Sequence, residues 1–108
     1  MPRYTEPLEV RRAKLVADAY TRHRDWGRAV TVWTGRASAQ PYRSTSPAEP
    51  ERETTTETLT VFLPPTAVVD SADRVVLRGQ VYEVQGEPAF WRAGALSHIR
   101  VTVWRARR

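Results

Sequence analysis

The stretch Asp73-Arg74-Val75-Val76-Leu77-Arg78-Gly79-Gln80-Val81-Tyr82-Glu83-Val84 decides the fold class. Two short β-branched runs, Asp73 to Leu77 and Val81 to Val84, flank Arg78-Gly79. Glycine supplies the positive φ that a tight hairpin turn needs, so the stretch predicts an antiparallel strand pair. Upstream, Thr58 to Leu63 alternates, with Leu59, Val61 and Leu63 on one face and Thr58, Thr60 and Phe62 on the other. Pro64-Pro65 stops it. Downstream, Gly86, Pro88 and Gly94 punctuate a loop, and Ile99, Val101 and Val103 form one face of a last strand. Period-2 alternation of this kind marks half-buried strands.

Further out, Ala29-Val30-Thr31-Val32-Trp33-Thr34 is β-branched and aromatic. Gly35 is expected to interrupt it, with a strand resuming over Ala37 to Tyr42 and Pro41 marking its end or a sheet edge. Leu8 to Tyr20 is ambiguous. Its residues tolerate a helix, but Leu8, Leu15, Val16 and Tyr20 fit one helical face only loosely. A short helix and an extended arm stand as alternatives there. The expected architecture is therefore mainly β, a small antiparallel barrel. Residues 1–27 form an N-terminal arm, 28–42 early strands, 43–57 a long acidic loop, 58–104 the barrel body and 105–108 a basic tail. Trp26, Trp33, Tyr82, Phe90 and Trp91 are expected in its core or rim.

The loop is the most unusual segment. It holds no large apolar side chain beyond its boundary and contains Pro47 and Pro50. Such a composition cannot bury enough surface to order itself alone. Glu49, Glu51, Glu53 and Glu57 face Arg43 and Arg52, a local charge of −2 in a chain of net charge +5. Sixteen of the 17 basic residues are arginine. A GC-rich coding sequence produces that bias, and so does a need for bidentate binding of phosphate or carboxylate.

At 108 residues the chain has room for one domain. Cysteine is absent, which excludes disulfides, thiolate metal sites and thiol catalysis. No apolar run approaches the ~20 residues needed to cross a bilayer. Met1 to Glu6 lacks the apolar stretch of a signal peptide. The expectation is a soluble protein without membrane association. His23 and His98 lie far apart, and no zinc-protease, dinucleotide, nucleophile-elbow or P-loop pattern occurs. Asp70 and Asp73 bracket a turn, where aspartates commonly bond their own backbone. The loop glutamates, spaced by proline and arginine, make a poor cation cage. No catalytic residue, cofactor or metal is expected.

Several segments together resemble the head-to-tail stopper proteins of long-tailed bacteriophages, also called head-completion or head–tail joining proteins. Arg11-Arg12-Ala13-Lys14-Leu15-Val16-Ala17-Asp18-Ala19-Tyr20, followed by Arg24-Asp25-Trp26, is similar to that family's opening. Leu59 to Pro65 resembles its central strand and proline stop, and Asp73 to Val84 its hairpin. Gly86-Glu87-Pro88, Trp91 and Gly94 to His98 resemble its closing loop and last strand. The resemblance implies a virion protein made in the host cytoplasm and placed in the phage neck, in a ring of six or twelve copies. Its partners would be its own copies, the portal-proximal adaptor, a tail terminator or tail tube protein, and packaged double-stranded DNA passing without sequence specificity. By position, the loop Tyr42, Arg43, Glu49, Glu51, Arg52, Glu53, Thr54, Thr55, Thr56 and Glu57 is the candidate channel gate, with the threonines pairing between subunits. Arg11, Arg12, Leu15, Tyr20 and Trp26 form the candidate partner-binding arm, which is expected to be separable from the folded body. The alternative reading is a small basic barrel that binds nucleic acid.

Overall fold

The computed structural model describes residues 4–17, 20–42 and 55–107. Six strands form one closed antiparallel barrel: β1 (Glu6–Ala17), β2 (Arg22–Pro41), β3 (Thr55–Leu63), β4 (Arg74–Leu77), β5 (Gln80–Trp91) and β6 (His98–Arg107). Around the barrel they run β1-β2-β3-β6-β5-β4, and β4 pairs with β1 to close it. A 3₁₀ turn, Gly94–Leu96, precedes β6.

The core follows from period-2 alternation. Leu8 and Val10 point inward from β1, and Ala37 from β2. Leu59, Val61 and Leu63 do so from β3, Val75 and Leu77 from β4. Tyr82 and Val84 on β5 and Ile99, Val101 and Val103 on β6 complete the lining. Each of these side chains is at most 8% exposed. The 64–73 connection joins strands separated by β5 and β6 in the barrel order, so it crosses an end of the barrel, and its Ala67 and Val69 join the same core cluster. At the β4–β5 turn both central residues have positive φ, Arg78 at 55° and Gly79 at 74°. That is the type I′ geometry whose twist matches a two-residue hairpin.

Several boundaries differ from the sequence expectation. Leu8 to Ala17 is strand, because Leu8 and Val10 alternate into the barrel and pair with Leu77 and Val75. Hence residues 6–11 of the expected arm are a barrel stave. Gly35 does not interrupt β2; the ring of Trp33 lies over it, 2.4 Å from where a Cβ would stand. Gly86 and Pro88 lie within β5, where the register slips by two residues between Gln85 and Ala89. A bulge accommodates a proline that a regular ladder excludes. The strand β3 begins at Thr55, so the expected loop loses its last three residues. Arg105, Ala106 and Arg107 of the expected tail extend β6.

Candidate functional site

Three surfaces lie outside the core, and the first is a two-stranded ribbon. The pairing of β4 ends at Arg11↔Arg74, whereas β1 and β2 stay paired out to Ala17↔Arg22. Beyond Arg11, among the described residues, these two strands pair only with each other. The ribbon is kinked: Arg12 pairs with Val30 and Lys14 with Asp25, so residues 26–29 bulge opposite Ala13. Trp26 in that bulge packs under the Arg74 guanidinium, 4.0 Å from its ring centre. The Arg24 side chain donates to the Ala13 carbonyl at 3.1 Å. The kink opens a groove of about 590 Å³ lined by Leu15, Val16, Ala17 and Val30, with Lys14, Asp25 and Arg28 among its polar lining. Leu15 is 48% and Val30 60% exposed.

The candidate arm residues therefore divide. Arg12 donates twice to the buried Asp73 carboxylate, at 2.9 Å each, and this raises its pKa. Arg11 is bound to Glu9 at 2.8 Å; Glu9 also accepts from the Thr31 hydroxyl, and the Arg11 bond first, then Thr31, lower its pKa. Both arginines are thus held within the chain, and Trp26 is half-buried. Leu15 and Tyr20 are exposed on the ribbon.

The second surface is the end of the barrel where β2 leaves and β3 enters. Tyr42 is exposed and donates its backbone N–H to Thr58 at 3.0 Å. Arg43, Glu49, Glu51, Arg52, Glu53 and Thr54 lie outside the described residues. Thr55 and Thr56 pair with Arg107 and Ala106 of β6 in the same chain, which takes up one edge of β3, while the pairing with β2 on its other edge begins only at Leu59. Glu57 is likewise no loop carboxylate. It accepts from Arg105 Nε at 2.8 Å and from the Tyr82 hydroxyl at 3.2 Å, which ties β3 to β5 and β6.

The third surface was missed in the sequence. On the outer wall the His98 ring lies 5.7 Å from Phe62, edge-on, and 6.3 Å from Trp91, stacked. The Arg100 guanidinium is 5.8 Å from the Trp91 ring. His98 Nδ1 donates to the Leu96 carbonyl at 2.9 Å, which fixes a proton on that nitrogen. Phe90, Trp91 and Leu96 are each more than half exposed. The signal was present in the outward positions of three strands, but only their register, Phe62↔Arg100 and Trp91↔His98, brings them together.

Among the described residues, no three His, Asp or Glu side chains converge as a metal site. In comparisons with known proteins, no family model and no curated protein matches the chain.

Proposed function

We propose that this protein is a structural component of a bacteriophage neck. It forms a ring beneath the portal adaptor, closes the DNA-filled head and offers a docking surface to the tail. The observation that carries the reading is the placement of two elements on a rigid barrel. The ribbon projects beyond one end, and the 43–54 segment is rooted at the opposite end, between Tyr42 and Thr55. A body that must be gripped from one side and act on the other needs that separation. The sequence resemblance supports the same reading, since a long loop between early strands is where that family places its channel gate. The ribbon's exposed Leu15 and Val30, beside its groove, suit contact with a neighbouring copy or the adaptor. Exposed apolar side chains of this kind gain by burial in an interface.

The reading is tested in phage heads assembled with altered protein. Deleting Ser46 to Glu53 keeps every described strand, and heads carrying the deletion are expected to leak packaged DNA before tail joining. Heads that hold their DNA normally would remove the gate from the proposal. Replacing Lys14–Asp25 by a two-residue Asn-Gly turn shortens the ribbon without touching the staves. Loss of head attachment by a folded protein is expected; unchanged attachment would overturn the docking role.

A further inference from the structure

We propose that the β1–β2 ribbon is a clamp for duplex nucleic acid, holding the phosphate strands through Lys14, Arg22 and Arg28. The charge distribution carries this. Residues 11–31 contain six basic and two acidic side chains, giving +4 of the chain's net +5. Outside this stretch, the 43–57 segment and the last four residues, basic and acidic residues balance. The described ribbon cations are not consumed equally by the fold. Arg11 and Arg12 are paired with carboxylates, and Arg24 is bonded to a backbone carbonyl. Lys14 and Arg22 are exposed and have no partner among the described residues. Arg28 makes a long ion pair with Asp25, at 3.7 Å, and its side chain stays 88% exposed.

Shape agrees with charge. Paired strands stand roughly 4.8 Å apart, and a two-stranded ribbon fits the major groove, which is about 12 Å wide. Cross-strand partners share a face, so Lys14, paired with Asp25, and Arg22, paired with Ala17, lie on opposite faces. A thin element flanked by two phosphate strands needs cations on both sides. Arginine and lysine contacts to phosphate carry no sequence information, so the clamp binds any duplex and is strongly weakened by salt. The cations invoked, Lys14, Arg22 and Arg28, are distinct from the docking side chains Leu15 and Val30 of the same ribbon, and the test uses the free protein, so its failure leaves the neck assignment standing.

The test is anisotropy of a labelled duplex of about 25 base pairs, titrated with the full-length protein from roughly 20 to 200 mM salt. Lys14→Gln/Arg22→Gln/Arg28→Gln is expected to weaken binding about tenfold or more and to flatten the log–log salt slope by about 2.7, at 0.9 per phosphate contact. Arg22→Lys/Arg28→Lys keeps the point charges and is expected to keep binding. Arg107→Gln/Arg108→Gln removes charge elsewhere and is expected to leave the ribbon's share of the slope intact. The proposal is overturned if wild type shows no binding at the lowest salt, or if the triple variant keeps the full slope. It is equally overturned if the lysine variant loses binding. Poly-glutamate of matched charge that competes as well as unlabelled duplex would also overturn it, by assigning the ribbon to an acidic polypeptide.

Discussion

At Asp73 three donors converge on one carboxylate that is 2% exposed: two from Arg12, and the backbone N–H of Asp70 at 2.8 Å. A buried carboxylate that loses its cation costs more than a surface cation that loses its carboxylate, because Arg12 is 38% exposed and can turn to water. Arg12→Ala is therefore expected to destabilise by about 3 kcal/mol. Asp73→Ala is expected to cost about 2 kcal/mol, mostly by orphaning the Asp70 N–H. Urea denaturation of both variants reads the order, and the reverse order would refute this account. The turn around Asp73 was legible in sequence, since Asp73 does bond its own loop. Its ion pair was not, because Arg12 lies 61 positions away and only barrel closure brings the two together. A second pair gives a pH dependence. The bidentate hydrogen bonds from Arg78 are the main cause that holds the Glu6 pKa below its ordinary value of 4.5. A lowered carboxylate pKa stabilises the fold fully above the ordinary value, and that stabilisation fades as pH falls through the lowered one. Glu6→Gln is expected to flatten that part of the stability profile below pH 4.5, measured by denaturation at stepped pH.

The element that departs most from expectation is β2, a single strand of 20 residues. Glycine and proline are expected breaks in a strand, and Pro41 does end β2. Yet Gly35 keeps its place in the ladder, paired with Leu8, because the missing Cβ makes room for the Trp33 ring. Gly35→Ala pushes a methyl into that ring and is expected to cost about 1–2 kcal/mol, with a changed near-ultraviolet dichroism from the displaced indole. An unaltered spectrum would show that the ring does not depend on the gap. Where one face is buried and the other wet, as in β3 and β6, alternation alone located the inward residues. It failed over Leu8–Ala17, where a bulge shifts the register after Val10 and leaves Leu15 outside. The ribbon was invisible for the same reason: apart from the buried Ala13, its side chains answer to no core.

At the scale of the molecule, closure depends on the shortest strand. The four residues of β4 carry the seam to β1, where Leu8 faces Leu77 and Val10 faces Val75. Leu77→Ala is expected to cost about 3 kcal/mol, since Leu77 is 1% exposed within the core cluster and its loss leaves a cavity there. A loss below ~1 kcal/mol in urea denaturation would mean that the seam relaxes. Antiparallel barrel class and the β4–β5 hairpin were readable from residue pattern; strand order was not, because which strands meet around a barrel is a long-range property. The charge layout follows from the same closure, with a neutral body between a cationic ribbon and a basic strand end.

The connection that crosses the barrel's end has a last consequence. Ala67 and Val69 stop the mouth, and Leu63, Tyr82, Ile99, Val101 and Val103 fill the interior behind them. No thread or solvent column can run along this axis. In a ring of the kind proposed above, any passage would be walled by the outsides of several copies, and its bore would be set by how many stand together.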